Sequence, residues 1–338
     1  MRKVIKGLFI FSMSVLLVIV TLIITFIITS KFTYKPITYL TKKGFDNSNK
    51  SIIYPRVENF QEILLKVDIK KDLEFSSKYK NNKFDLITPK NIDKPPVLFW
   101  IHGGAFVGGD KIDTLDYLIT LAEKGYAVIN INYELAPNIT YPTPIKQVSE
   151  AVKYIYDKND EYNLDLTKVF IGGDSAGAQI AGQFTNIQMN KEYSKKVGIE
   201  PCIKSENIKG YISFSGLLNM VEFNKTDSWL SNLLFHHAAW AYFKDKNWIE
   251  SPLALESSII GNILKFPPTF ITDGNLNSFE NQGKELYKEL IDLGIPAELN
   301  LYDGDKVELK HEYQFNMDIK EARDNFNKVV KFLDKYKE

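Results

Sequence analysis

The chain has 338 residues, 44% of them hydrophobic, and its 42 basic side chains balance 42 acidic ones. Zero net charge leaves no broad positive field for a polyanion, and no nucleic-acid motif is present, so nucleic acid is excluded as a partner. A lone cysteine, Cys202, excludes an internal disulfide and a cysteine-rich metal site.

The first element is apolar. Arg2, Lys3 and Lys6 precede an uncharged run over residues 7–30. As a helix it reaches roughly 36 Å, enough for a hydrocarbon core of about 30 Å. A cleaved leader has a shorter apolar stretch and a small-x-small site, which Lys31-Phe32-Thr33-Tyr34 lacks. Residues 1–30 therefore read as an uncleaved transmembrane signal anchor. Lys31, Lys35, Lys42 and Lys43 nearly balance the positive charge on its near side. A short positive N-terminus ordinarily stays in the cytoplasm, so the expected location is the cell membrane, single-pass, with the remainder extracytoplasmic. Residues 31–60 read as a polar tether and 61–338 as the folded domain.

Early strands are expected at 63–67 and 83–87. Pro96–Ile101 is a continuous apolar run, the pattern of a strand covered on both faces. Strand at 126–133, helix at 144–156, strand at 169–172 and helix at 176–188 follow. Further strands are expected at 208–214, 268–272 and 297–302, with helices at 280–293 and from about 318. Strands alternating with helices predict an α/β fold with a mostly parallel sheet flanked by helices. Residues 217–265 interrupt the alternation and carry Trp229, Phe235, Trp240 and Trp248. An interval that long reads as a helical lid insertion. Its aromatics would either form a satellite core or line an acyl pocket.

Gly173-Asp174-Ser175-Ala176-Gly177 follows the apolar Val169-Phe170-Ile171 and opens a helical stretch. A Gly-x-Ser-x-Gly run between strand and helix is what a nucleophile elbow requires, with Ser175 as the nucleophile. His102-Gly103-Gly104-Ala105-Phe106 follows the strand at Pro96–Ile101. Glycines there let backbone N–H groups approach a developing oxyanion, so Gly103 and Gly104 are candidate donors, with Ala176 beside the nucleophile as another. Asp174 reads as a buried hydrogen-bonding residue.

With these motifs, the sequence resembles the hormone-sensitive-lipase-like branch of the α/β-hydrolases, the bacterial esterase and acetylesterase group. Asn132-Tyr133-Glu134-Leu135-Ala136-Pro137, Tyr141-Pro142 and Ser251-Pro252-Leu253 also match its pattern in order. The resemblance implies an α/β-hydrolase fold and a serine hydrolase that cleaves small carboxylic esters through an acyl-enzyme. It implies a small-molecule ester as substrate and neither metal nor cofactor; the membrane is expected as a partner from the apolar N-terminal run instead. Of four histidines, His102 belongs to the oxyanion motif, where it braces the loop. His236 and His237 lie in the aromatic insertion and do not share a helix face. His311 stands after the last strand, where the family keeps its catalytic base.

The acid departs from the family pattern. Counting back from Gly283 to the family's aspartate lands on Asn277. Asp273, at the strand end, is the chosen third member and preserves the order Ser…Asp…His; Glu280 and Asn277 stay open as alternatives. Asp303, Asp305, Glu308 and Glu312 around His311 read as solvated loop charges. An amidase or peptidase on the same triad is a second reading. A non-catalytic binding protein on a hydrolase scaffold, motivated by Asn277, is a third. Oligomeric state and physiological substrate are left open.

Overall fold

A computed structural model describes residues 2–48 and 54–338. Two helices lead, α1 (Arg2–Phe32) and α2 (Lys35–Ser48). The first is long and apolar enough to cross a membrane over Val4–Phe32, with mean hydropathy 2.8 and none of its apolar window buried in the protein. The second is helical where a tether was expected. Short α3 (Phe60–Leu64) precedes β1 (Val67–Glu74), so the apolar 63–67 stretch starts as a helical turn and sheet pairing begins only at Val67. Next come β2 (Lys83–Pro89), β3 (Pro96–Ile101), α4 (Leu115–Ala122), β4 (Ala127–Ile131), α5 (Thr143–Asp157) and one-turn α6 (Asn159–Tyr162). β5 (Asp165–Asp174) runs straight into α7 (Ser175–Met189), with α8 (Lys191–Val197) behind it. Between β6 (Ile208–Phe214) and β7 (Thr269–Thr272) stand α9 (Trp229–Phe243) and α10 (Pro252–Ser257). The final elements are α11 (Glu280–Asp292), β8 (Ala297–Asn300) and α12 (Lys320–Tyr336).

Eight strands form one sheet in the order β1-β2-β4-β3-β5-β6-β7-β8. β1 and β2 are antiparallel to their neighbours, and every pairing from β4 through β3 to β8 is parallel. β3 lies between β4 and β5, which accounts for its unbroken apolar run: both faces are covered. On one face the core gathers α5, α7 and the insertion; on the other it gathers α4 and α12. In such a sheet the crevice forms at the carboxyl ends of the strands. Residues 101, 174 and 272 end β3, β5 and β7 there, and the motif residues follow them directly.

Candidate active site

β5 ends at Asp174 and α7 begins one residue later, so the chain turns from strand to helix at a single residue. Ser175 takes that turn at φ +49°, a left-handed conformation that costs a residue with a Cβ of order 1–3 kcal/mol. A side chain at Gly177 would strike the carbonyls of Ile101 and His102, so α7 can meet the end of β3 only with glycine there. His311 Nε2 lies 3.0 Å from Ser175 Oγ. Its other ring nitrogen, Nδ1, lies 2.9 Å from Ser278 Oγ. Ser278 in turn donates a short hydrogen bond to Asp273 Oδ1.

Asp273 thus reaches the imidazole through a hydroxyl and not directly. The chain does not stay extended beyond β7: it turns tightly, with Asn277 at φ +53°, exposed to solvent. Glu280 pairs with Lys284 at 2.7 Å. Of the three acid alternatives, only Asp273 connects to His311. Asp273 is 2% exposed and also accepts the N–H groups of Gly274 at 2.7 Å and Phe279 at 3.1 Å. Burial raises its carboxyl to about 7 despite the hydrogen bonds from Ser278, Ser215 and these amides, which pull the other way. Burial also pushes the His311 imidazole down to about 4.

The two loops are joined by one side chain. Asn275 Oδ1 accepts the Leu309 N–H at 2.9 Å, and its Nδ2 donates to the carbonyl of Val307 at 2.9 Å. The backbone N–H groups of Asn275 and Leu276 both donate to Leu309 O. Relay residues 273 and 278 and the histidine at 311 are therefore carried on one stitched unit.

The oxyanion loop departs from expectation at one donor. The Gly103 N–H donates to Asp174 Oδ2 at 2.7 Å, so it is committed to the protein. Trp100 Nε1 donates to the other oxygen of Asp174 at 2.9 Å. Asp174 thus ties the elbow to the glycine loop. Of the expected donors this leaves Gly104 and Ala176; Ala176 lies in the first turn of α7, where backbone N–H groups lack intrahelical acceptors. Gly104 sits at φ +112°, and a Cβ there would collide with the Gly108 carbonyl. His102 is buried, stacks on Tyr133 with ring centroids 4.5 Å apart, and bonds Gly103 O through Nδ1 at 2.7 Å.

Glu312 reverses its sequence reading. It takes a left-handed conformation at φ +60°, its N–H donates to Ser215 Oγ at 3.0 Å, and its carboxyl turns inward. Oε1 lies 3.6 Å from His311 Nε2. Burial and the neighbouring Asp174 carboxylate raise the Glu312 carboxyl well above its usual range. The residue had looked like one charge among several on a loop, and only the inward turn distinguishes it. Ser278 also escaped notice, since its hydroxyl gains meaning only when the turn after β7 tightens.

Beside these groups lies a cavity of about 350 Å³. Its floor includes Gly103, Gly104 and Glu312, and its walls include Leu40 and Phe45 of α2 with Leu234 and Phe235 of α9. The stretch expected as a tether therefore forms part of the cavity wall.

The chain is 25% identical over 228 residues to a protein of Acanthamoeba polyphaga mimivirus named as an α/β hydrolase, a match spanning 64% of this chain and 62% of that one. That is less than two thirds of the relative's own length. An esterase of Gibberella moniliformis is also 25% identical, over 63% of this chain and 67% of that protein. Esterase B of Lactobacillus rhamnosis superposes with a TM-score of 0.75 over 90% of this chain and 96% of that one, at 16% identity. A bacterial heroin esterase superposes at 0.65, covering 86% and 96%, at 20% identity. The BD-FAE family model matches residues 84–290, more than half of the chain, from β2 into α11. The chain belongs to the BD-FAE family and is a hormone-sensitive-lipase-like α/β hydrolase.

Proposed function

We propose that this protein is a membrane-anchored serine carboxylesterase, with Ser175 as nucleophile and His311 as its general base. The carrying observation is the 3.0 Å approach of His311 Nε2 to a hydroxyl at the head of α7. Ser175 Oγ attacks the ester carbonyl as His311 takes its proton, and the N–H groups of Gly104 and Ala176 receive the oxyanion. Collapse breaks the carbon–oxygen bond to the alcohol, which leaves with the proton from His311. Water then attacks the acyl-enzyme by the same route in reverse, releasing the acid and restoring Ser175. Asp273, acting through Ser278, holds the imidazole with Nε2 toward the serine.

Esterase names among the relatives support the substrate class, and the apolar cavity wall of Leu40, Phe45, Leu234 and Phe235 supports an acyl chain beside the glycine loop. In domain terms, residues 1–30 anchor the protein, 61–338 carry the chemistry, and 217–265 form a cap. The shortness of the positive segment before the apolar run supports an extracytoplasmic catalytic domain.

The test is fluorophosphonate labelling of the full chain with turnover of p-nitrophenyl acetate. Labelling at Ser175 and ester hydrolysis are expected, and Ser175→Ala should lower kcat by at least ~10⁴-fold. Labelling accompanied by amide but not ester turnover would favour the amidase reading. Absence of labelling would return the scaffold to a binding role.

A further inference from the structure

The end of the apolar helix is clasped by the cap. His237 of α9 reaches Ser30 O with Nε2 at 3.1 Å, and Lys246 Nζ donates to Lys31 O at 2.7 Å. Thr38 of α2 donates to His237 O at 3.1 Å, and Tyr34 meets Trp240 edge-on with centroids 5.8 Å apart. Lys244 Nζ donates to Tyr34 Oη at 2.6 Å. The last turn of α1, the buried side of α2 and the second half of α9 therefore form one packed body.

The first half of α9 behaves differently. Trp229 is 77% exposed, Leu230 49% and Leu233 39%, and they share one helix face by their spacing of three and four. This face begins one turn from His237 and ends about 12 Å from it along the axis. The residues behind it, Leu234 and Phe235, line the cavity opposite Leu40 and Phe45. Lys31, Lys35 and Lys43 are exposed at the same end of α1, with no carboxylate between them in the sequence.

We propose that this face lies in the surface of the bilayer that α1 crosses, and that the cavity receives its substrate, an acyl ester of a membrane lipid, directly from that bilayer. The proposal rests on the esterase reading above for the chemistry, and on its own geometry for the docking. An exposed tryptophan beside leucines matches the apolar layer under the headgroups, where amphipathic rings settle. Lysines where α1 ends match anionic lipid phosphates. Because α1 is bonded to the cap, the distance from bilayer to cavity is set by the fold and not by a loose linker. The gap between α2 and α9 then faces the acyl chains, and an ester drawn through it meets Gly104 and Ser175.

The experiment uses the full chain in vesicles of phosphatidylcholine and phosphatidylglycerol. Trp100 and Trp248 are fully buried and Trp240 packs at the end of α1, so the part of the quenching by brominated acyl chains that Trp229→Phe removes reads Trp229. Turnover of a diacylglycerol in the vesicles is compared with turnover of dissolved p-nitrophenyl acetate. Quenching of the wild type is expected. In Trp229→Ser/Leu230→Ser/Leu233→Ser the ratio of lipid to soluble turnover should fall at least about tenfold, with soluble turnover unchanged, since membrane engagement scales with buried apolar area. Absence of quenching in an enzyme that hydrolyses the soluble ester would overturn the docking and spare the esterase. So would an unchanged ratio, or an equal loss on both substrates. Quenching without turnover of either ester would spare the docking and sink the esterase.

Discussion

In the proposed mechanism, Ser278 is the residue on which the chemistry turns. Its hydroxyl bonds both His311 Nδ1 and Asp273, so the carboxylate orients the imidazole at one remove. Ser278→Ala should lower kcat by about 10²-fold with little change in KM, because loss of alignment costs rate more than binding. Ser278→Thr, which keeps the hydroxyl, should recover much of it. Steady-state kinetics on a soluble ester separates the two. The pH profile carries a second signature. The proposed base works as neutral imidazole, and burial holds His311 at about 4, so kcat/KM should rise with pH near that value. The Asp273 carboxyl, raised to about 7, contributes charge to the imidazolium only once ionised, so a further rise is expected near neutrality. Asp273→Asn should erase the upper step and leave the lower one.

At the scale of elements, the glycine loop is held from both ends. Asp174 grips its start through Gly103, and Lys111 closes its far end. The Lys111 ammonium lies 2.8 Å from buried Asp85 of β2 and 3.0 Å from Asp72 of β1, while Asn130 and Asn132 bond its backbone. Lys111→Met would strand the Asp85 carboxylate in the interior, at a cost of about 3–5 kcal/mol that urea denaturation would read. These supports also mark what was legible beforehand. The elbow, the glycine loop and the parallel strands were visible because each is local, a strand ending in small residues. The Gly103 donor was misassigned because its commitment to Asp174 joins residues 71 apart in the chain. The relay through Ser278 and the inward turn of Glu312 likewise depend on how two loops meet across Asn275, which no local pattern encodes. The helix at Lys35–Ser48 was hidden by its polar composition: its inner face of Ile37, Thr38 and Thr41 is mostly threonine.

Across the whole molecule, the cavity is assembled from segments far apart in sequence. Its floor comes from the loops after β3 and β8 and the end of β5, while its walls come from an N-terminal helix and the insertion after β6. Substitutions in α2 should therefore alter chain-length preference without touching the reacting groups. Phe45→Ala enlarges the wall next to Gly108 and should raise kcat/KM for longer acyl esters relative to acetate, measured with a series of p-nitrophenyl esters.

The clasp of His237 and Lys246 on the end of α1 carries a consequence for processing. Were a protease to shed the enzyme by trimming it back to Tyr54, the released form would keep Ser175, Ser278 and His311 but lose Leu40 and Phe45. Its catalytic groups would stand in a trough open on one flank. Such a trimmed form would be a generalist on dissolved esters and a poor competitor for long chains.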